Sequence, residues 1–356
     1  MRHTSQVAAG AALALILPLA ACGNGDASPQ PGSTETSIGD ITIACGNVED
    51  LCEHMIQAFT KSTGIGANYV RMSGGEIIAR LESTKDAEKA EFDVWYGGPA
   101  ESFATGAERG LLEAYDAPGR ANLDSRFIDA DGYWSGYSVN PIGLCSNTGV
   151  LGKLGVDAPA AWADLANPAL KAQVSTPHPA TAGTGFTYLA TLVANHGDDD
   201  AAFAFLETVH PNVLQYTKSG SAPVQMLVRG EVGVVAAYMS VCQRENVVNG
   251  NDSIAMSYPS EGVGFETAAV GMVNGASNVA GGHAFIDWVL TDEAFQEHLA
   301  AGYNVFPSTK EGGDNGLGQT IDEIPISPAF DPVESGKRRV ELAERFEREI
   351  IPAPAE

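Results

Sequence analysis

Two hydrophobic periods alternate along the chain. Ile41-Thr-Ile-Ala-Cys is a short apolar run that reads as a strand. From about Val48 to Ser62, Met55, Ala58, Phe59 and Ser62 recur at helical spacing, and Gly64 is placed to close that helix. Asn68-Tyr-Val-Arg-Met reads as a second strand, after which Ser73-Gly-Gly-Glu opens a helix carrying Ile77, Ile78 and Leu81. Phe92-Asp-Val-Trp-Tyr is a third strand, ending at Gly97-Gly98 before a helix over 100–109. The pattern resumes with a strand at Gln173-Val-Ser-Thr-Pro and helices over 184–195 and 203–209. A strand over 213–216, a helix over 223–229 and an apolar strand over 232–238 follow, then helices over 284–290 and 292–301. Strands alternating with helices predict an α/β architecture with mostly parallel sheets. The last amphipathic helix, from about Glu334 to Ile350, places Val340, Ala343, Phe346 and Ile350 on one face. Its Glu341/Arg345 and Glu344/Arg348 pairs at i,i+4 contribute roughly a few tenths of a kcal/mol each, which leaves packing as its role.

Length and charge narrow the picture. The 356 residues suggest two domains or one large one, and 44% hydrophobic against 18% charged residues supports a sizeable core. Acidic residues outnumber basic ones 45 to 20, a formal net charge of −25. That field repels nucleic acid, so a nucleic-acid partner is excluded.

The N-terminus reads as an address. Arg2 and His3 precede an apolar stretch from Val7 to Ala21 that is too short to span a bilayer as a mature helix and sits where a secretory core belongs. It ends Leu19-Ala20-Ala21-Cys22, which resembles the lipobox of bacterial lipoproteins and implies cleavage before Cys22 with a lipid on its sulfur. The alternative is an ordinary signal peptide cut at Ala-x-Ala beside a chance cysteine. Residues 1–21 are then a signal peptide and 22–40 the lipidated cysteine with a Gly/Ser/Pro-rich tether. No later run approaches membrane-spanning length, so the membrane is met only through Cys22, on the outer face of the cell membrane (the periplasmic side if the envelope has two membranes). Of the four remaining cysteines, Cys45 ends a strand and Cys52 lies early in the next helix, within reach of one another. Cys145 and Cys242 are then left as the second pair among three connectivities.

Four junctions share one chemistry, small or hydroxylated residues where a strand hands over to a helix. They are Ser73-Gly74-Gly75, Gly97-Gly98-Pro99, Thr181-Ala-Gly183-Thr184-Gly185 and Ser219-Gly220-Ser221-Ala222-Pro223. Free backbone N–H groups and the positive end of the helix dipole suit such a place to an anion. Taken singly each is an ordinary N-cap; four at the carboxyl ends of strands point to a ligand edge. Arg71, Arg80 and Lys218 are the nearby cations. The chain contains no Gly-x-Ser-x-Gly, Ser-x-x-Lys, His-Glu-x-x-His, Walker A or Gly-x-Gly-x-x-Gly pattern, so no enzyme, cofactor or metal site is read from it. Asp198-Asp199-Asp200 reads as a solvated helix start rather than a calcium site.

Phe92-Asp-Val-Trp-Tyr-Gly-Gly-Pro-Ala, Asp131-Gly-Tyr-Trp-Ser-Gly, Pro141-Ile-Gly-Leu-Cys-Ser-Asn-Thr, Gln215-Tyr-Thr-Lys-Ser-Gly-Ser-Ala-Pro and Tyr258-Pro-Ser-Glu-Gly-Val-Gly-Phe-Glu occur in that order. Together they resemble bacterial ABC-transporter solute-binding proteins of the ferric-iron and sugar-phosphate group, whose cousins bind 2-aminoethylphosphonate, thiamine and polyamines. The early Cys45/Cys52 pair resembles the sugar-phosphate branch. The resemblance implies a two-lobe, type II periplasmic-binding-protein-like fold hinged on two crossover strands, near Tyr137–Leu144 and Glu266–Val273. It implies lobes of 41–139 plus 268–350, including the last helix, and of 140–267. It also implies a monomer serving an ABC permease in the membrane, with the four junctions lining an interlobe cleft.

The same resemblance bears on the ligand. Where ferric relatives carry Tyr-Tyr and sugar-phosphate relatives His-Asp, this chain has Ser240-Val241. Tyr238 alone does not supply the hard anionic oxygens that ferric ion requires. What remains is an anion cradle of Ser73, Gly74, Gly97, Gly98, Thr184, Ser219 and Ser221, with Tyr238. The expected ligand is a small phosphorylated, phosphonated or carboxylated solute. Glu261 and Glu266 are candidates for its amino or hydroxyl end, Glu261 being equally readable as a helix-start acid, and Trp95, Tyr96 and Tyr216 are candidates for the wall.

Overall fold

The computed structural model describes residues 38–351, which belong to one compact unit. The expected leader over 1–21, Cys22 and most of the tether lie outside the described residues. Strands β1 (Ile41–Cys45), β2 (Ala67–Arg71), β3 (Val94–Pro99) and β4 (Leu112–Glu113) alternate with helices α1 (Glu49–Thr63), α2 (Gly74–Thr84) and α3 (Ala100–Glu108). The long β5 (Ser135–Asn147) leads to α4 (Thr148–Leu154), β6 (Val174–Pro177), α5 (Gly183–His196) and α6 (Asp199–Val209). Next come β7 (Val213–Thr217), α7 (Ala222–Val228), β8 (Val234–Tyr238), α8 (Met239–Val247) and β9 (Ile254–Ser257). The chain finishes with β10 (Phe265–Val273), α9 (Val279–Val289), α10 (Asp292–Ala300), β11 (Phe306–Pro307), α11 (Pro332–Lys337) and α12 (Arg339–Glu349). Gly64 ends α1 in the left-handed region, φ 74°, as its position predicts.

The strands run β2-β1-β3-β10-β5-β8-β6-β7. β2, β1 and β3 are parallel on one side, and β8, β6 and β7 are parallel on the other. The two central strands, β10 and β5, are antiparallel to their neighbours, and β5 belongs to both halves. β5 pairs with β10 and β11 through Ser135–Pro141, then with β8 and β9 through Ile142–Asn147. Pro141, which has no N–H to donate, stands where β5 changes partners. β10 carries register shifts around Ala268, on both its β3 and its β5 side. A strand bent by bulges between two sheets is the place where two lobes hinge, and this is a two-lobe, type II periplasmic-binding-protein-like fold.

Each lobe has its own core. Ile41, Ile43, Met55, Phe59 and Phe285 pack together in the first lobe, and Leu144, Val174, Phe186, Phe203 and Val234 in the second. Cys45 is bonded to Cys52 and Cys145 to Cys242, so one disulfide pins β1 to α1 and the other pins the hinge strand β5 to α8.

The C-terminal segment differs from the single helix expected. It breaks at Arg338 into two pieces because each half has a different neighbour. Backbone at Gly336 presses on Glu101 of α3, where an added Cβ would come within 2.3 Å of the Glu101 Cβ. After the break, α12 buries Leu342, Ala343 and Phe346, and then Ile350 follows; Leu342, Phe346 and Ile350 join the second-lobe core, not the first. Val340, expected on the buried face, is 71% exposed. Nor do Glu341/Arg345 and Glu344/Arg348 pair. Arg345 reaches Asp200 at 2.7 Å and Glu349 at 3.0 Å, while Arg338 takes Asp199 and Glu341. The Asp198-Asp199-Asp200 run is a helix start, with Asp198 capping α6 through the Asp200 N–H.

Replacing Phe346 by Ala should therefore cost about 3–5 kcal/mol of stability in denaturant unfolding, whereas Val340→Ala should stay within about 0.5 kcal/mol. Equal effects would mean that the final helix does not belong to the core.

Candidate functional site

Helices begin around one cleft of about 440 Å³ between the lobes. The first lobe contributes Gly46, Asn47 and Val48 ahead of α1, Ser73 and Gly74 at the start of α2, and Gly98 and Pro99 ahead of α3. The second contributes Thr181–Thr184 at the start of α5, Lys218–Ser221 ahead of α7, and Tyr238 and Ser240 at the start of α8. Parallel strands impose this arrangement: each ends at the same edge of its sheet, and the next helix starts there. The hinge supplies the floor. Asn140 stands opposite Glu266 and Ser138 opposite Ala268 in the β5–β10 ladder, so all four side chains share one face.

The close approach of β1 and β3 depends on glycine. A Cβ at Gly46 would meet the Gly97 carbonyl oxygen at 2.3 Å, and one at Gly97 would meet the Asn47 amide at 2.3 Å. Gly97 and Gly98 also hold φ of 85° and 93°, which other residues adopt only under strain.

Polar groups at the cleft are partly committed to one another. Ser73 and Glu76 form a reciprocal capping box, and the Ser73 hydroxyl donates to Glu76 at 2.8 Å. Ser219 and Ser221 hydroxyls lie 3.2 Å apart. Asn140 donates to Ser240 at 2.8 Å, and Tyr238 bonds Thr187 at 2.8 Å. Burial pushes the Tyr238 phenol well above its ordinary value, so it stays protonated. Burial likewise raises the Glu266 carboxyl to about 7, opposed by its hydrogen bond with Tyr238 and by the Arg339 charge. Glu101, behind it on α3, is raised to about 7 by burial, with the Glu266 charge adding to the effect and Arg339 opposing it. Burial lowers the His298 imidazole to about 4, leaving it neutral at physiological pH. Two cations remain for a ligand: Arg71 and Lys218 line the cleft, and among the described residues neither has a carboxylate partner.

Ser73, Gly74, Gly98, Thr184, Ser219, Ser221 and Tyr238 thus meet at one cleft, as do Arg71, Lys218 and Glu266. Other expectations are corrected. Gly97 stands behind the wall, its carbonyl accepting from the Trp95 indole at 3.0 Å. Glu261 is exposed and outside the cleft, in a surface turn ahead of β10, and accepts from the Ala163 N–H at 3.2 Å in the short 3-10 turn Trp162–Ala166. Trp95 and Tyr96 are core, stacked on Phe103 and Tyr137. Tyr216 packs edge-on against Phe346. Arg80 is held by Glu91 in a two-pronged pair. Asn47, Ser138, Asn140, His298 and Tyr303 line the cleft without having been foreseen. Alternation along β5 would have grouped Ser138 with Asn140, but nothing local marks His298 or Tyr303.

Two α/β lobes on crossover strands, with helix N-termini converging on the gap between them, define a binding protein that closes on a small solute. The bacterial extracellular solute-binding protein family model matches residues 54–320, and the chain belongs to that family. A Haemophilus influenzae protein is 34% identical over 262 residues, which is 72% of this chain and 74% of that one. A Salmonella typhimurium protein with the provisional name 2-aminoethylphosphonate-binding periplasmic protein is 27% identical over 244 residues, 67% of this chain and 68% of that one. The periplasmic binding protein AfuA from Actinobacillus pleuropneumoniae, solved with fructose-6-phosphate bound, superposes with a TM-score of 0.80 at 28% identity, over 89% of this chain and all of that one. Family members are transport proteins of ABC importers, not enzymes. No helix among the described residues is long and apolar enough to cross a membrane.

The buried acids predict a pH signature. Both folded values, about 7, exceed the unfolded value near 4.5, so the native state keeps protons that the unfolded chain has released. Stability from this source is greatest below the unfolded value and declines until pH passes about 7. Thermal melting from pH 4.5 to 7 should show wild type losing ground steadily to a Glu101→Gln/Glu266→Gln variant; parallel curves would refute the assignment.

Proposed function

We propose that this protein captures a small organic anion, phosphorylated, phosphonated or carboxylated, and delivers it to an ABC permease. The observation that carries the reading is the convergence of helix N-termini from both lobes, with the unpaired Arg71 and Lys218, on one cleft. Backbone N–H groups at helix starts and a guanidinium suit phosphate-like oxygens, and their field is local enough to act inside a chain of net charge −25. The hinge floor answers the other end of the solute. Glu266, Tyr238, Asn140 and Ser240 form a polar patch fit for hydroxyl or amino groups, in keeping with a fructose-6-phosphate complex of one relative and the aminophosphonate in the name of another.

In this reading the lobes divide at the hinge, 41–139 with the segment after 268 against 140–267, except that the final helix goes with the second lobe. The mature chain is a monomer anchored through a lipid on Cys22, and no cofactor or resident metal takes part. Ferric ion fits the cleft poorly, because Tyr238 has Ser240 and Val241 for neighbours, and the second phenol at the cleft, Tyr303, is already bound to Asp50.

The test is a thermal-shift screen of ligand-stripped residues 38–356 against sugar phosphates, phosphonates, carboxylates, thiamine, polyamines and ferric ion. A true solute at a thousand times its dissociation constant should add about 4 kcal/mol of stability. A shift with iron alone would overturn the reading. For the solute that binds, Thr184→Ala and Ser221→Ala should each weaken affinity by about tenfold, the loss of a hydrogen bond to a charged group, as measured by calorimetry. Ser73→Ala should instead act chiefly on the α2 cap, lowering stability by about 1 kcal/mol.

A further inference from the structure

The lobes are also joined by side chains away from the hinge strands. Asp50, in the first turn of α1 on the first lobe, pairs with Arg244 of α8 on the second at 2.7 Å. The Tyr303 hydroxyl, from the loop after α10, donates to the same carboxylate at 2.9 Å, and the Arg244 guanidinium lies over the Tyr303 ring at 5.0 Å. Gly302 brings this loop against the end of α8: a Cβ there would lie 2.6 Å from Val248.

Most surface ion pairs contribute little, because two long side chains must be ordered in a high dielectric. Three features set this one apart. Arg244 is only 29% exposed and is packed on an aromatic face, which adds a cation–π attraction. Besides the neighbouring Leu51 N–H, Asp50 accepts from two donors on two distant segments. Each partner also lies two residues from a disulfide: Cys52 fixes the start of α1 to β1, and Cys242 fixes α8 to β5. Backbone already held in place loses less entropy when its side chains engage.

We propose that Asp50, Arg244 and Tyr303 form an interlobe latch that favours the closed arrangement and so governs how long a solute stays. Asp50 and Arg244 do this without lining the cleft. The consequence for residence time rests on the solute-binding reading above; the bias toward closure does not. A protein that is closed only part of the time binds with an affinity reduced by that fraction, and losing the latch lowers the fraction.

The experiment reads lobe separation directly, with no solute present. Spin labels on Lys61→Cys and Lys153→Cys, both exposed and on opposite lobes, report distances by double electron–electron resonance. In ligand-stripped residues 38–356, Arg244→Gln and Asp50→Asn should each raise the ratio of long to short distances by about threefold to tenfold. Tyr303→Phe should fall between these and wild type. The exchanged pair Asp50→Arg/Arg244→Asp should recover much of the short-distance population, which a merely structural role would not do. Raising salt to about 1 M should lengthen the wild-type distances and leave Arg244→Gln unmoved. Distributions that coincide for wild type and Arg244→Gln, in proteins melting at the same temperature, would overturn the latch. Because no solute enters this measurement, a failed ligand screen and a failed latch are separate results.

Discussion

The hydrogen-bonded ribbon of β5 and β10 is the constraint on which the rest of the molecule depends. β5 is the shared member of both sheets and β10 is bonded along its first half, so the lobes are mechanically separate yet cannot slide relative to one another. Their register decides the floor of the cleft, because Asn140 opposite Glu266 and Ser138 opposite Ala268 fall on the same face. Shifting either strand by one residue would turn that polar row away and replace it with Val139 and Thr267. Bulges around Ala268 and a donor-free Pro141 weaken the ladder just where bending is needed.

Around that ribbon the electrostatics are nested. The protein as a whole is strongly acidic, and several of its cations are spent on acids, as Arg80 is on Glu91 and Arg345 on Asp200 and Glu349. Arg71 and Lys218 have no carboxylate partner among the described residues, and both line the cleft together with the helix starts. Beneath them the carboxyl groups of Glu266 and Glu101 are desolvated until they hold protons near neutrality, so the floor adds less negative charge than two ordinary glutamates would. An acidic chain can in this way keep two cations and little negative charge at its cleft.

The C-terminal segment ties the parts together from outside. Its first piece lies on α3 of the first lobe and its second in the core of the other, with Gly336 close against Glu101 and Phe346 beside Tyr216. With the ribbon on the floor and Asp50–Arg244 beside the cleft, the lobes are joined at three kinds of place. One is backbone hydrogen bonding, one apolar packing and one charge, and each responds to a different solution variable.

Much of this was legible in the chain itself. Periodicity marked β1 through α3 and β6 through β8 to within two or three residues, except that α6 begins four residues before the apolar run at 203–209, because the sterics of a helix or a half-buried strand act between near neighbours. The junction residues Ser73, Gly98, Thr184, Ser219 and Ser221 were readable for the same reason: strand ends and helix starts are local events. Periodicity says that a face is buried but not what it is buried against, so nothing in the last helix announces that Phe346 meets Tyr216 or that Arg338 and Arg345 reach Asp199 and Asp200. Glu261 and Glu266, five residues apart and alike in chemistry, were separated only by the fold, which put one on a surface turn and the other on the hinge. His298, Tyr303 and the Asp50–Arg244 pair carry no local mark at all. Their meaning comes from contacts between residues up to 253 positions apart, set by long-range packing that no short window of sequence contains.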